Sequence, residues 1–180
     1  MMFVFIASEA FFFLTLIISF VYYSRTNGQI SGTSKHLDII KTGIFSLFLF
    51  SSSLTVEFAD KKLKKGKKSS MLFWLYVTIA LGLTFIVGQG IEYTGLIKEN
   101  ITVNKDIFSS AFYTLTGFHG LHVIFGLIAL SIFIYIVKSD SYDEVVYDAF
   151  NTTTIYWHFV DGVWVVVFLI VYLGSLIEVI

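Results

Sequence analysis

The chain has 180 residues, of which 56% are hydrophobic and 14% are charged, and its formal net charge is −1. A soluble domain carries about 25% charged residues, so the composition indicates a membrane protein and gives no argument for a nucleic-acid partner. The sequence has no cysteine, which excludes disulfides, thiolate metal sites and iron–sulfur clusters, and no proline. Helices that break during transport often carry proline or glycine interruptions, so a rigid bundle is favoured over a moving carrier.

Five apolar stretches are long enough to cross a bilayer as helices, which requires about 20 residues each. The first begins at Met1 with no basic residue ahead of it and no small-residue cleavage site, so we expect a retained helix rather than a signal peptide. The sequence predicts an all-α integral membrane bundle of five transmembrane helices, forming a single domain over residues 1–180. The helices are predicted at about 2–23, 37–59, 71–93, 107–137 and 150–177.

The orientation of the bundle is predicted by the link from Asp60 to Ser70, which holds six lysines in the run DKKLKKGKKSS. Short basic loops stay in the cytoplasm. We therefore expect the N-terminus and the Lys61–Lys68 loop inside the cell and the C-terminus outside. We interpret the lysines as a topology signal in contact with anionic lipid rather than as a specific binding site.

Glu9 is an ionisable residue inside the first span, in the run SEAFFFLTLIISF. A charged group in the hydrocarbon region is costly and usually faces the bundle interior, water or a partner. Two interpretations remain equally open from the residue type. Glu9 is either a proton-linked or lipid-contacting carboxyl, or a neutral acid hydrogen-bonded to a neighbouring helix.

His119 and His122 lie in the fourth span, in FYTLTGFHGLHVIFG, and their spacing of three predicts one side of a helix. Gly117, Gly120 and Gly126 predict close approach of another helix along this segment. Two histidines can ligate haem or a metal, with a third ligand from another helix. His158 or Glu9 would be the candidate for that ligand. We favour hydrogen bonding between helices.

The remaining polar residues lie in the fifth span and at the end of the third. His158 and Asp161, in NTTTIYWHFVDGVW, share a face, and the acid predicts a polar contact rather than catalysis. Glu92 closes the third predicted span in GQGIEYTG, where we expect an interfacial acid with a structural role. No nucleotide-binding, serine hydrolase or zinc protease motif is present. The residues alone thus predict a packed bundle without naming its function.

Four segments resemble a known family. TGFHGLHVIFG at 116–126 and YWHFVDGVW at 156–164 resemble signature motifs of subunit III of the haem–copper terminal oxidases. SEAFFF at 8–13 is similar to the motif around the family's buried glutamate, and GQGIEY at 88–93 to its Gln and Glu-Tyr pattern. The order and spacing also match over nearly the whole chain. The chain resembles the short five-helix form, which lacks the first two helices of the seven-helix form.

The resemblance implies a non-redox subunit of a cytochrome c oxidase complex, which reduces dioxygen and translocates protons in aerobic respiration. It implies packing on subunit I, support of proton uptake, retention of phospholipid, and haems and copper held by subunits I and II. Glu9 resembles the family's carbodiimide-reactive carboxyl. The matched positions His119, His122, His158 and Asp161 are structural or lipid-contacting there. The location implied is a bacterial inner membrane.

Three alternatives to this interpretation are kept. The same resemblance fits subunit III of a quinol oxidase, and the electron donor does not follow from the sequence. An independent membrane haem or metal protein would use His119, His122 and His158. A proton-coupled carrier would use Glu9 and Asp161, and the lack of proline breaks and internal repeats argues against it.

Overall fold

A computed structural model describes residues 2–26, 37–139 and 144–174, and every element in these ranges is helical. The fifth helix continues into a π-helical turn over Leu169–Leu173, and its predicted end near residue 177 lies outside the described residues. The helices are α1 (Met2–Thr26), α2 (Ile39–Leu63), α3 (Lys68–Lys98), α4 (Ile107–Lys138) and α5 (Glu144–Phe168). Each of the five contains a segment long and apolar enough to cross a membrane.

The lysine-rich link is much shorter than predicted, because α2 and α3 continue into it and leave only residues 64–67 between them. Gly66 has a φ of 66° and donates its backbone N–H to the carbonyl of Leu63 at 2.8 Å. Glycine occupies this left-handed conformation without a steric cost, which suits it to end a helix. The prediction placed the helix ends where apolar residues stop, yet lysines are good helix formers.

The third helix is also longer than predicted and ends at Lys98 rather than near residue 93. Asn100 follows with a φ of 58°, a region that asparagine tolerates better than most residues.

The helices α2 and α4 begin with aspartate caps. Asp38 accepts a hydrogen bond from the backbone N–H of Lys41 at 3.1 Å, and Asp106 accepts one from the backbone N–H of Ser109 at 2.6 Å.

The packing of the bundle places α4 and α5 at its centre. The helix α4 contacts α1, α3 and α5, while α5 also contacts α1 and α2. The most extensive helix–helix contact joins α2 and α3. The core where the helices meet is aromatic, and its largest fully buried side chains are Trp157, Trp164, Tyr172, Phe85, Phe112 and Phe150. The outer faces carry many exposed Phe, Leu, Ile and Val side chains, which suits a lipid environment.

Candidate functional site

Glu9 on α1 meets His122 on α4. The carboxylate Oε2 lies 2.9 Å from Nε2 of the imidazole, and the side chains are 22% and 12% exposed. The other ring nitrogen, Nδ1, lies 2.7 Å from the backbone carbonyl oxygen of Phe118. The structure therefore places the predicted acid of the first span against one of the two predicted histidines.

The two hydrogen bonds of His122 fix where its protons lie. A carbonyl oxygen only accepts, so Nδ1 carries a hydrogen and donates to Phe118. One further proton then joins Nε2 to Glu9, and it sits either on the imidazole as an ion pair or on the carboxyl as a neutral pair. The pair thus holds a single transferable proton between two helices.

An open groove of about 500 Å³ lies beside this pair, between α1, α4 and α5. Its walls are mainly apolar, with Phe5 and Phe125 among them, and Glu9 and His122 supply polar groups. Tyr156 on α5 closes one side and donates its hydroxyl to the backbone carbonyl of His122 at 3.1 Å. An apolar groove with a few polar groups at one point is suited to an amphiphilic ligand.

His119 does not form the interhelical hydrogen bond that was predicted for it. The residue is 1% exposed, and neither ring nitrogen has a hydrogen-bond partner in the described part of the chain. Its ring instead stacks on Trp164 with 4.6 Å between centroids, and the edges of Phe13 and Phe85 enclose it. His119 therefore packs as an aromatic ring, while His122, three residues along, makes the polar contact.

Serines of α2 bind the indoles of α5, a contact that the sequence analysis did not identify. Trp157 donates Nε1–H to Ser52 at 2.9 Å, and Trp164 donates to Ser46 at 2.8 Å. All four side chains are buried. A buried indole N–H needs an acceptor, so these serines set the register of α5 against α2. The signal in the sequence was the group of small hydroxyl residues within an apolar span.

His158 and Asp161 share a partner on α2 rather than bonding to each other. Ser53 donates its hydroxyl to Oδ2 of Asp161, and its oxygen lies 3.1 Å from Nδ1 of His158. Asp161 is 5% exposed and its second oxygen has no partner among the described residues. The polar contact predicted for Asp161 is therefore found, through a serine.

Glu92 is not an acid at the end of a helix, as was expected, because α3 continues past it. Its Oε2 accepts from the hydroxyl of Tyr172 at 2.8 Å and from Nε2 of Gln89 at 3.4 Å. The following residue, Tyr93, shares a hydrogen bond of 2.7 Å with Thr116 on α4. The GQGIEY segment thus joins α3 to α4 and to the π-helical end of α5.

The three glycines of α4 differ in their surroundings. A Cβ at Gly126 would lie 2.7 Å from the indole of Trp157, so this glycine is required for close packing. At Gly117 the nearest atom is the Tyr93 hydroxyl at 3.8 Å, and at Gly120 nothing lies within 4 Å. Close approach of another helix of this chain is therefore found at Gly126 and not at Gly120.

The predicted metal ligands do not converge. His122 faces Glu9, His158 faces Ser53, and His119 lies among aromatic rings. Over residues 2–26, 37–139 and 144–174, no group of three His, Cys, Asp or Glu side chains is arranged to hold a metal ion. The polar side chains of the bundle instead connect pairs of helices.

The family described as Cytochrome c oxidase subunit III matches residues 1–176 of the chain. The chain belongs to the cytochrome c oxidase subunit III family. Membership accounts for the helical membrane bundle, and the polar residues described above lie within the matched region. Subunits of this family are not redox carriers.

Several relatives of this subunit III chain bear names that agree with the family. Cytochrome c oxidase subunit 3 of Corynebacterium diphtheriae is 32% identical over 173 residues, which cover 94% of this chain and 84% of the relative. The protein of the same name in Synechocystis sp. is 34% identical over 171 residues, covering 94% and 72%. Cytochrome bo(3) ubiquinol oxidase subunit 3 of Pseudomonas putida is 36% identical over 157 residues, covering 86% and 76%.

Proposed function

We propose that this chain is the non-redox subunit III of a cytochrome c oxidase, packed on subunit I, and that it helps to retain phospholipid and to sustain proton uptake. The observation that carries the proposal is the family match over residues 1–176, within which Glu9 and His122 form a paired polar site at an open groove. The haems and copper belong to subunits I and II in this proposal.

Lipid retention is supported by the shape and chemistry of the groove. An acyl chain would lie along its apolar wall of Phe5, Phe125 and Ala129. The carboxyl of Glu9 would accept a hydrogen bond from a headgroup donor through its second oxygen, since Oε2 and both ring nitrogens of His122 are already hydrogen-bonded. Bound phospholipid would thereby cover polar groups that are otherwise costly within the membrane.

A role in proton uptake is supported by the single proton shared by Glu9 and His122. Moving that proton between Oε2 and Nε2 requires no large change in geometry, because the two atoms are 2.9 Å apart. Such a pair suits a group that exchanges protons with a neighbouring pathway rather than one that only fastens two helices. The proposal assigns this role to the pair in support of subunit I.

The electron donor in this proposal is cytochrome c, by analogy with the relatives from Corynebacterium diphtheriae and Synechocystis sp.. The second candidate is a quinol, which the named ubiquinol oxidase relative from Pseudomonas putida favours. The donor is a property of the assembled complex, so the two candidates differ in the partner subunits rather than in this chain. A copper-binding domain in the co-purified subunit II would identify cytochrome c.

We place the chain in a bacterial inner membrane with its N-terminus and the Lys61–Lys68 segment in the cytoplasm. Support comes from the lysines at the α2–α3 turn and from the rule that basic loops remain inside. Lys64 donates a hydrogen bond to the carboxylate of Asp60 at 2.5 Å, and this bond raises the pKa of Lys64. The C-terminus then lies outside.

The experiment that tests the proposal is isolation of the tagged chain from its native membrane in mild detergent. We expect a large haem-bearing subunit, oxygen consumption with an added reductant, and phospholipid in native mass spectrometry. A stable chain that carries no haem-bearing partner would contradict the proposal. Oxygen consumption with reduced cytochrome c, compared with a quinol, separates the two candidate donors.

A further inference from the structure

A polar patch lies on the outside of the bundle, along the seam between α2 and α5. His158 is exposed although it lies well inside the membrane-spanning part of α5, between Tyr147 and Leu173. Glu57, one turn from Ser53 on α2, has a side chain that is 49% exposed. Exposed ionisable groups at this depth are rare and usually meet protein or water.

Ser53 occupies one ring nitrogen of His158 and leaves the other without a partner. The serine is hydrogen-bonded to Oδ2 of Asp161, and its oxygen also lies 3.1 Å from Nδ1 of His158. The second ring nitrogen, Nε2, donates in one tautomer of the imidazole and accepts in the other. No residue within the described ranges donates to it or accepts from it.

Gly162 provides space beside this nitrogen. It lies one turn beyond His158 on the same face of α5, it is exposed, and nothing lies within 4 Å of where its Cβ would be. Small residues on an outer helix face permit the backbone of another membrane helix to approach closely. The chain therefore presents an imidazole nitrogen without a hydrogen-bond partner next to an open glycine.

We propose that Ser53, Glu57, His158 and Gly162, here called the seam face, bind a transmembrane helix of the large oxidase subunit. That helix packs its backbone against Gly162 and presents a hydroxyl or amide side chain, which can donate or accept a hydrogen bond, to Nε2 of His158. This inference rests on the proposed function and adds to it the surface through which the partner is held.

The chemistry of the seam face favours a protein helix over lipid tails. Hydrocarbon neither donates nor accepts a hydrogen bond, so a lipid-facing Nε2 would remain unsatisfied in a medium where that is costly. Glu57 already pairs with Lys61 at 2.7 Å, so the part of the face that still lacks a partner is His158, deeper in the membrane. The space at Gly162 suits a close backbone contact.

Site-specific cross-linking in native membranes tests the occupant directly. Because the natural chain has no cysteine, Gly162→Cys introduces its sole thiol, which is then labelled with a benzophenone maleimide. Gly90→Cys on α3 is the matched control, since Gly90 is also exposed with nothing within 4 Å of its Cβ position. We expect illumination to join the chain to the haem-bearing subunit from position 162 and not from position 90.

Substitutions test whether the contact holds the complex together. Gly162→Leu and His158→Phe should each lower the amount of large subunit recovered with the tagged chain by about tenfold. Helix–helix contacts in membranes contribute a free energy that corresponds to a change of about this size in a binding constant. His158→Gln should retain most of the recovered large subunit, because the side-chain amide can both donate and accept a hydrogen bond in place of Nε2. Gly90→Leu should behave as wild type. Helicity by circular dichroism should be unchanged in all four variants.

The outcomes separate this inference from the proposed function. If the wild-type chain co-purifies with the oxidase while position 162 reacts only with lipid or within its own chain, the seam face is not the docking surface. Wild-type recovery in both Gly162→Leu and His158→Phe would overturn it equally, as would an equal reaction at position 90. A wild-type chain that recovers no haem-bearing partner would overturn both proposals.

Discussion

The contact between α2 and α5 and the contact between α1 and α4 both join polar side chains across helices, but they differ in what surrounds those side chains. At the first, Trp157 and Trp164 donate to Ser52 and Ser46, and all four are buried within the chain. At the second, Glu9 and His122 are partly exposed and line an open groove.

The difference separates two uses of polar groups in a membrane bundle. A serine–indole bond has no group that titrates near neutral pH, and once buried it can only fix the relative position of two helices. A glutamate–histidine bond beside open space carries an exchangeable proton and can contact a ligand. The first contact should therefore govern stability, and the second should govern what the bundle holds.

The largest effect is expected at the buried contact. Trp157→Ala removes a fully buried indole and its bond to Ser52, and should lower the free energy of unfolding by about 3–5 kcal/mol. Thermal unfolding of the purified chain in detergent measures it. Trp74→Ala is the control, because Trp74 is only half-buried and should cost less. Equal losses of unfolding free energy at both positions would mean that the α2–α5 contact contributes no more to stability than the surroundings of Trp74 do.

Alanine substitutions at two glycines of α4 should change stability in opposite directions, because only one of these glycines lies at a tightly packed contact. Gly126→Ala places a methyl group 2.7 Å from the ring of Trp157 and should cost about 1–3 kcal/mol. Gly120→Ala meets no atom within 4 Å and should stabilise the helix by about 0.5–1 kcal/mol. The two melting temperatures, taken under one condition, should lie on opposite sides of wild type.

Gly120 also bears on assembly with other subunits. Because Gly120→Leu should leave the isolated chain folded, any loss of assembled oxidase in that variant would report a contact made by a partner. Wild-type yields of the complex would show that no partner packs closely there.

A smaller effect on stability is expected at the groove. Glu9→Ala removes one hydrogen bond from a partly exposed pair and should cost about 1 kcal/mol. Its main consequence should be less phospholipid per complex in native mass spectrometry. Glu9→Gln, which keeps a hydrogen-bonding group beside His122, should retain more lipid.

The haem spectrum provides the control for both Glu9 variants. In each, the absorption bands of the assembled oxidase should be unchanged, because the proposal assigns the haems and copper to subunits I and II. A shifted or missing haem band would contradict the view that Glu9 acts only on lipid and protons.

Sequence reasoning predicted the five helices and the family, but not where α2 and α3 end. Apolar runs mark the part of a helix that lies in lipid, whereas α2 and α3 extend into the lysine-rich segment because lysine is compatible with a helix. The two helices are separated by residues 64–67 alone, among which Gly66 has a positive φ.

The partners of the buried polar residues were beyond sequence reasoning. Spacing put His119 and His122 on one side of α4, but three residues correspond to a rotation of about 60° from alignment. That rotation turns His119 toward Trp164 and His122 toward Glu9.

The hydrogen bonds of Ser46 and Ser52 to the indoles of α5 were not predicted, for a related reason. Their role depends on the rotation of α5 against α2, which no local pattern in α2 encodes.

The smallest expected effect lies at the start of α2, outside the membrane span. Asp38 caps the helix and pairs with Lys41 at 2.7 Å. The hydrogen bond from the Lys41 side chain holds the pKa of Asp38 below its ordinary value of 3.8. A carboxyl with a lowered pKa in the folded state stabilises the protein above pH 3.8, and this contribution is lost as the pH falls through the lowered pKa.

Asp38→Asn keeps a capping oxygen and removes the charge, so at pH 7 it should lower the melting temperature by less than any destabilising substitution above. The difference from wild type should shrink as the pH falls below 3.8 and also with added salt, which screens the exposed pair. Asp38→Ala removes the cap as well, so its deficit should persist at low pH. If Asp38→Asn showed no deficit at pH 7 while Asp38→Ala did, the stabilisation would belong to the cap alone, with none left for the charge.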